Sequence, residues 1–590
     1  MNTDQIVISF VLVATLVLFA SGRWRYDVVA VGALIVVALF GLVDAAEVFS
    51  GFGHPAIITV AAMLIISYAM ETSGVVAFLA RGLEAVAVGR LSTLAALMGT
   101  VAVLSGFMNN IGALVLMLPV AVHLARAQGV NRSLYLMPMA FASMLGGLIT
   151  LIGTPPNIII SSFRDQAGLG GYDIFDFSPV GLIVATGGIV VMIALSGRLI
   201  PKREQVDEAN PLDHIDPYIT EVTVPEGSAL IDHTLRMLEE RGHGDLSVVA
   251  LVRGGDKLVA PRRDVQILGG DLLVIEADQE SLQELVSDHS VELTGERVFK
   301  ASLLQTEDFS VIAAVVLPQS RLVGRTATQI RLRSSYGLNL LAISRQGHDI
   351  VDRLGHARIA PGDVLMVQGE TEAMVETLVR LGCLELAESE LTPQRRLDPI
   401  PLAIFVGAIL FTAFGIVRIE VSLVAAVLFM VLLNRVSVKD VYEKVDWPVI
   451  VLLGAMIPVG GALETSGTTQ LIAETVVHIG GELGPVAIVG ILMAAAMALS
   501  NIVNNAAAAV LMAPLALNLA SGLGMNADPL LMAVAVGSST AFLTPIGHQS
   551  NLLVMGPGGY RFGDYWRLGV PVSIVVLVTG VPAILWVWPT

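Results

Sequence analysis

The sequence predicts a polytopic α-helical membrane protein made of two inverted five-span repeats, each with a re-entrant hairpin and a broken helix, with two small α+β cytosolic domains inserted between the repeats. Three observations predict this fold class. Of the 590 residues, 54% are apolar and only 14% are charged, and the mean hydropathy is +0.76, which is typical of membrane proteins. Residues 201–396 hold 20 of the 34 Lys and Arg and 32 of the 51 Asp and Glu. Motifs on either side of that soluble segment repeat in the same order.

Composition also excludes several classes of function. The net charge of −17 argues against a nucleic-acid partner. A single cysteine, Cys383, excludes a disulfide framework and a thiolate metal site. No nucleophile–base pair or metal cluster is apparent, so we do not expect an enzyme. The first residues lack the positive region of a signal peptide, so the apolar run 6–20 is predicted to be a retained span.

Five pairs of matching segments define the two copies, residues 1–200 and 397–590. The pairs are 54–55 with 447–448, 70–74 with 463–467, 104–110 with 499–505, 150–157 with 544–551, and 171–181 with 559–569. Chance does not produce five matches in one order, so the chain contains an internal repeat.

Each copy is predicted to cross the membrane five times. The spans lie near 6–21, 27–43, 56–72, 133–160 and 178–198, and near 399–416, 420–434, 448–464, 529–554 and 568–588. Between the third and fourth span of each copy, roughly 92–124 and 485–520, lies a stretch interpreted as a re-entrant hairpin. An odd number of crossings makes the two copies inverted.

The distribution of basic residues predicts the orientation. With the N-terminus outside, 12 of the 14 Lys and Arg beyond the insert fall on the inner side, as the positive-inside rule requires. We therefore expect a multi-pass protein of the inner (plasma) membrane, with both termini outside and residues 201–396 in the cytosol.

Asn-Asn pairs lie deep in both hairpin stretches, where unpaired polar groups are costly. Ser105 lies one turn before Asn109, and Ser500 one turn before Asn504, so hydroxyl and amide oxygens are predicted to share a helix face. Oxygens of this kind suit a hard monovalent cation. The alternative is that these side chains only hydrogen-bond neighbouring helices.

Glycines predict a break in the fourth span of each copy. Gly153 precedes Pro155-Pro156, and Gly547 precedes His-Gln-Ser. A broken helix exposes N–H groups and a positive dipole end, which favour an anion. Interrupted helices at matching places in inverted repeats indicate a secondary transporter.

These motifs resemble the divalent anion–sodium symporter family, and within it the sulfate-permease and sulfur-response branch. The likeness rests on Asn-Asn followed ten residues later by Pro, on SMLGGLITLIGTPPN at 143–157, and on GHQSNLLVMGPGGYRF at 547–562. The resemblance implies a homodimer that works as an elevator, with a scaffold half and a moving transport half. It also implies two sodium sites at the hairpin tips, with the anion between them.

Site residues carry over by position. The first sodium site would comprise Ser105, Asn109, Asn110 and Gly153, and the second Ser500, Asn504, Asn505 and Gly547. The anion would meet both tips (Asn109, Asn110 and Ile111; Asn504, Asn505 and Ala506) together with Thr154, Pro155, His548 and Gln549.

The chain departs from the family at the hairpin tips, which usually read Ser-Asn-Thr. Ile111 and Ala506 stand where threonine hydroxyls cradle the carboxylates of dicarboxylates in other members. That disfavours a dicarboxylate and favours a small divalent oxyanion, sulfate first. The alternatives are a sodium/dicarboxylate symporter and a membrane anion sensor that signals through its soluble domains.

For each of three titratable side chains, two interpretations of its role remain open. His548 either donates to the oxyanion and titrates near neutrality, or is a neutral histidine bonded to a carbonyl of the broken helix. Glu71 and Glu464 are either proton carriers or groups near the membrane surface.

The insert is itself duplicated with an offset of 92. Residues 228–234, 248–253 and 270–275 match 320–326, 340–345 and 362–367. The pattern is similar to the C-terminal subdomain of RCK regulators of potassium transport, and gives domains at 201–300 and 301–396. This resemblance implies dimerisation and a small cytosolic effector, or else purely structural modules. The basic positions that could meet an anionic effector are Arg253, Arg262, Arg263, Arg321, Arg325 and Arg345.

Overall fold

The protein is described by a computed structural model. It describes residues 2–21, 24–74, 89–201, 219–241, 246–254, 256–259, 261–277, 285–288, 290–293, 309–345, 348–350, 356–386, 398–468, 484–545 and 547–590. The side chains of Glu71 and Glu464, for which two roles were left open, lie outside this description.

The described part of the first membrane segment contains eight α-helices rich in Leu, Ile, Val and Ala. They are α1 Thr3–Ser21, α2 Tyr26–Leu39, α3 Pro55–Thr72, α4 Arg90–Phe107, α5 Asn110–Ala127, α6 Ser133–Gly147, α7 Pro155–Gln166 and α8 Ser178–Leu199. Proline occupies the first turn of α3, α7 and α8, where its missing N–H costs nothing.

The predicted break in the fourth span is present: the helix stops at Gly147 and resumes at Pro155.

The second membrane segment begins with four helices and continues with the hairpin and a broken helix. Their bounds are α13 Ile400–Ala413, α14 Ile419–Leu432, α15 Val438–Glu443, α16 Trp447–Thr465, α17 Pro485–Ser500, α18 Asn505–Leu523, α19 Ala527–Ser538, α20 Gln549–Gly558 and α21 Tyr565–Val587. The labels α9–α12 belong to the insert. Between α19 and α20 the chain is non-helical around Gly547.

Five of the described helical segments are long and apolar enough to cross a bilayer. They are Arg90–Phe107, Asn110–Ala127, Ser178–Leu199, Asn505–Leu523 and Phe562–Val587. Several other apolar helices are shorter, such as Ile419–Leu432. Three of the long helices belong to the hairpin stretches, so helix length alone does not distinguish a re-entrant hairpin from two crossings.

Helices within each copy pack in the same way. In the first copy α4 packs on α6, and in the second α17 packs on α19. The last helices of the two copies, α8 and α21, pack against each other, with Gly187 close to Thr579. Phe141 of α6 meets Phe542 at a ring distance of 4.9 Å, so the two broken helices contact through aromatic side chains.

The insert forms two five-stranded antiparallel sheets. The first contains β1 Ile219–Thr223, β2 Leu246–Arg253, β3 Asp256–Val259, β4 Leu272–Ala277 and β5 Glu292–Leu293, with helix α9 Leu235–Arg241. The second contains β6 Phe309–Val316, β7 Asn339–Arg345, β8 His348–Asp349, β9 Val364–Glu370 and β10 Cys383–Glu385, with helices α10 Ala327–Ile330, α11 Leu332–Tyr336 and α12 Thr371–Leu381.

The two sheets have the same topology, β3-β2-β4-β1-β5 and β8-β7-β9-β6-β10. Even the irregularities match: β2 slips register between Val248 and Ala250, and β7 between Leu340 and Ala342. Offsets of 92 relate both pairs, so the duplication seen in the sequence is also a duplication of structure.

Matching ion pairs tie each sheet together. Arg253 forms a bidentate pair with Asp271 at 2.8 and 2.7 Å, and Arg345 forms one with Asp363 at 2.8 and 2.8 Å. Both aspartates are 1% exposed. These two arginines, considered above for an effector, are therefore structural, because each neutralises a buried carboxylate.

The chain divides into two compact units. One contains Met1–Pro201, Glu390–Asn551 and Phe562–Thr590, and the other Lys202–Ser389 with Leu552–Arg561. The site residues predicted from the sequence all lie in the first unit.

Candidate ion and anion site

The first hairpin turns at Asn109. Helix α4 ends at Phe107 and α5 begins at Asn110, with Asn109 as its N-cap. The Asn109 side-chain oxygen accepts a hydrogen bond from the Ile111 N–H at 3.2 Å. A cap of this kind stabilises a helix by about 1 kcal/mol, so Asn109 fixes the start of α5.

The second hairpin has the same construction. Helix α17 ends at Ser500 and α18 begins at Asn505. Asn504 caps α18 by accepting from the Ala506 N–H at 2.8 Å, and the Asn505 side-chain oxygen lies 2.8 Å from the same N–H.

One sequence-based expectation is wrong. Ser105 and Asn109 do not share a helix face, and neither do Ser500 and Asn504, because the helix break lies between the serine and the first asparagine of each pair. A spacing of one turn places side chains together only along a continuous helix. Ser105 instead contacts Asn110, across the break.

Buried oxygens converge on Asn110. The Ser105 hydroxyl donates to the Ser143 carbonyl at 2.6 Å. The Asn110 carboxamide satisfies its neighbours when its NH2 faces Ser105 Oγ at 2.5 Å and the carbonyls of Ser143 and Gly153 at 3.2 Å each. Ser105 is 0% exposed and Asn110 2% exposed. Three neutral oxygens around one buried position are a donor set that a hard monovalent cation accepts.

The corresponding oxygen cluster in the second copy has fewer members. The Ser500 hydroxyl donates to the Ser538 carbonyl, as Ser105 does to Ser143. A Cβ on Gly547 would lie 2.8 Å from the Ser500 carbonyl, so these two backbones are in close contact. The structure thus brings Ser500 and Gly547 together, but the side-chain oxygens of both tip asparagines bond the first turn of α18 instead.

His548 connects the two copies. Its Nδ1 accepts from the Ser550 N–H at 3.1 Å, and its Nε2 lies 3.3 Å from the Asn110 carboxamide. The residue is 8% exposed. Since Nδ1 is an acceptor, the neutral imidazole carries its proton on Nε2, which donates to the Asn110 oxygen. The predicted partner of a neutral His548 was a carbonyl; its partners are instead a side-chain amide and a backbone N–H.

The remaining predicted residues lie at the helix starts after the breaks. Thr154 is the N-cap of α7 and is 1% exposed. Its hydroxyl has no hydrogen-bond partner among the described residues. Pro155 is the first residue of α7, and the half-buried Gln549 is the first of α20. Two helix N-termini that carry the Thr154 hydroxyl and the Gln549 carboxamide can receive an oxyanion.

Sequence reasoning missed the residues that hold the breaks open. Asn157 Nδ2 donates to the Thr150 carbonyl at 2.8 Å, and Asn551 Nδ2 to the Thr544 carbonyl at 3.0 Å. Each asparagine also bonds a second carbonyl, of Gly147 and Ala541 respectively. Asn157 and Asn551 occupy equivalent positions of the matched motif, 394 residues apart, and this match could have identified them from the sequence.

Comparison with known proteins gives the family. A family model described as citrate transporter matches residues 16–537. An uncharacterized transporter of Synechocystis is 32% identical over 96% of this chain and 94% of its own length. An uncharacterized transporter of Escherichia coli is 30% identical over the whole of both chains. A sodium/sulfate cotransporter of Chlamydomonas reinhardtii is 25% identical over 55% of this chain and 39% of its own. The chain is therefore a membrane transporter rather than an enzyme, and it belongs to the citrate transporter family of divalent anion–sodium symporters.

Proposed function

We propose that this chain is a sodium-coupled importer of a small divalent oxyanion, with sulfate as the first choice. The observation that carries the proposal is the double role of Asn110. Its carboxamide contacts the oxygen cluster of Ser105, Ser143 and Gly153 on one side and His548 on the other.

Sodium binding would reverse the Asn110 carboxamide. A cation among the three oxygens repels the NH2 group and attracts the amide oxygen, which would become the fourth ligand. The NH2 would then face the Nε2–H of His548, so two donors would oppose each other. His548 must turn away or change its tautomer, and a proton on Nδ1 would break its bond to the Ser550 N–H.

The hydrogen-bond donors that this change releases favour binding of the anion. His548 and the Ser550 N–H lie at the start of α20, beside Gln549. An oxyanion there accepts the hydrogen bonds that Asn110 and His548 gave up, and it meets the positive end of the helix dipole. Every predicted site side chain is uncharged or a neutral histidine, so sodium supplies the full positive charge nearby.

The coupling has a thermodynamic form. If sodium tightens anion binding by some factor, the anion tightens sodium binding by the same factor, commonly about 5–150-fold. This reciprocity makes uptake of the anion depend on the sodium gradient.

Sulfate is favoured over a carboxylate by the hairpin tips. Ile111 and Ala506 offer no hydroxyls for carboxylates, and relatives named sodium/sulfate cotransporters match parts of this chain. The second candidate is a citrate or dicarboxylate symporter, which the family description favours.

The wider architecture follows from the same proposal. We propose two inverted repeats with re-entrant hairpins, two sodium sites, a homodimer and an elevator movement, in the inner membrane with both termini outside. The repeated hydrogen bonds of the two copies support the repeat, and the placement of Lys and Arg supports its inversion. The proposal includes regulation of transport through the cytosolic insert. The competing hypothesis is that the protein is an anion sensor that transports slowly.

Labelled uptake into proteoliposomes tests the function. With an inward sodium gradient we expect sulfate to accumulate, to be competed by selenate or thiosulfate and not by succinate or citrate, and to fail in choline. Accumulation of citrate or succinate instead would overturn the choice of sulfate. No flux of any of these anions by folded protein would favour the sensor.

A further inference from the structure

The insert contains a cavity lined by both of its domains, and this lining is charged, unlike the proposed transport site. Its volume is about 440 Å³, within the usual range for small-molecule sites of about 300–1,000 Å³. Residues of both insert domains line it. From the first come Arg236, Arg262, Arg263 and Asp264, and from the second come Arg333, Asn339 and Gln368.

The lining is strongly basic. Four arginines stand against one aspartate, a net charge of +3, in an insert that is acidic overall. Arg262 pairs with Asp264 at 3.2 Å in a solvent-exposed position. Arg236 is exposed and has no side-chain partner among the described residues. Both guanidinium groups can therefore exchange water or a weak pair for a ligand.

A buried carboxylate holds the other two arginines in place. Glu239 is 6% exposed and pairs with Arg263 at 2.7 Å and with Arg333 at 2.6 Å. Arg333 also donates to the Val248 carbonyl at 3.2 Å. Because Arg333 comes from the second domain and Glu239 from the first, this network fixes the two domains around the cavity. With Glu239 included, the region still has a net charge of +2.

A buried amide in the lining can donate a hydrogen bond to a ligand acceptor. Asn339 is 9% exposed, and its Nδ2 has no hydrogen-bond partner among the described residues. A buried donor without a partner costs about 1–3 kcal/mol, which a ligand acceptor would recover. Asn339 pairs in register with Gln368 on the neighbouring strand.

The first domain has a different pair at the equivalent position. There, Ser247 pairs in register with Glu276, both at an offset of 92 from Asn339 and Gln368. Arg236 and Glu239 likewise correspond to Thr328 and Arg331. The second domain thus has the neutral Gln368 where the first domain has the acidic Glu276. The duplication alone therefore does not produce the basic cavity.

We propose that this cavity binds a small metabolite with two or more oxyanion groups, either phosphates or carboxylates. Arginine forks match both groups bidentately, and the cavity is far larger than the ~30 Å³ share of a water molecule. Occupancy would add contacts across the domain junction that Arg333 and Glu239 now hold. This site is independent of which anion is transported.

Calorimetric titration of the full chain in nanodiscs tests the proposal, with no sodium or sulfate present. The probes are inorganic pyrophosphate, ATP and citrate, which separate free polyphosphates, nucleotides and polycarboxylates. We expect at least one probe to bind, and Arg236→Gln and Asn339→Leu each to weaken it about tenfold or more, as loss of a hydrogen bond to a charged group implies. Arg380→Gln, at a surface arginine that pairs with Glu376 on its own helix, is the matched control.

Two results would overturn the proposal: no binding of any probe to the wild-type chain, or equal binding by the wild type and Arg236→Gln. Thermal unfolding of each variant identifies a folding defect, and because Arg236 is exposed its variant is expected to fold. A failure of sulfate uptake would leave this titration unaffected, so the two proposals are tested separately.

Discussion

Removing the Ser105 hydroxyl is predicted to weaken sodium binding selectively. Ser105→Ala deletes one of the three oxygens that surround the Asn110 carboxamide, and it also removes the bond to the Ser143 carbonyl at 2.6 Å. A hydrogen bond or ligand contact to a charged group contributes about 1.5–3 kcal/mol. Since 1.4 kcal/mol is a factor of ten in affinity, the sodium concentration for half-saturation should rise by about 10–100-fold.

Sodium-dependent thermal stabilisation measures this without any assumption about the transported anion. A ligand that binds only the folded state raises the unfolding temperature as its concentration increases, and choline chloride keeps the ionic strength constant. Ser573→Ala is the matched control, because the Ser573 hydroxyl makes no hydrogen bond to the described residues. If Ser105→Ala shows the same sodium dependence as Ser573→Ala, the oxygen cluster is not a sodium site.

Further predictions concern the hairpin caps, the insert's ion pairs and its cysteine. Asn109→Ala and Asn504→Ala should each abolish uptake and lower the free energy of unfolding by about 1 kcal/mol. Asn526→Ala, at the N-cap of α19, is the control and should keep uptake. Normal uptake in either hairpin-tip variant would reject the assignment of the tips to the site. Arg345→Leu removes the guanidinium that pairs with the buried Asp363 carboxylate. Because Arg345 is 38% exposed and the Ala360 N–H still donates to Asp363, we expect a loss of about 1–3 kcal/mol in denaturant titration. A loss no larger than that of Arg380→Leu would contradict this. Burial raises the pKa of the Cys383 thiol to about 12, so the thiol stays protonated at pH 8. Iodoacetamide should therefore label Cys383 slowly in the folded protein and rapidly in urea. Rapid labelling without urea would refute the burial.

Local features of the fold were predictable because their causes are local. Gly153 and the following prolines predict the break before α7, and Gly547 predicts the break before α20, because helix-breaking residues act where they stand. The insert's duplication was visible as matching Gly-Asp turns, and the bonds of Asp271 and Asp363 show why those turns repeat.

The site could be predicted only in part. The sequence grouped Ser105, Asn110 and Gly153, which the structure brings into contact, but it attributed to Asn109 a role beside Ser105 that depends on an unbroken helix. The contact of Asn110 with His548 joins residues 438 positions apart, and no local pattern encodes such a contact. For the same reason Arg236 and Arg333 were not recognised as facing one cavity, although Arg262 and Arg263 were noted as basic positions.

The most direct test of the central claim is the affinity for sulfate in sodium and in choline at equal ionic strength, measured on the purified transporter. The Asn110–His548 linkage predicts that sodium tightens sulfate binding by about 5–150-fold, and that sulfate tightens sodium binding by the same factor. Equal sulfate affinity in sodium and choline would contradict the proposed coupling.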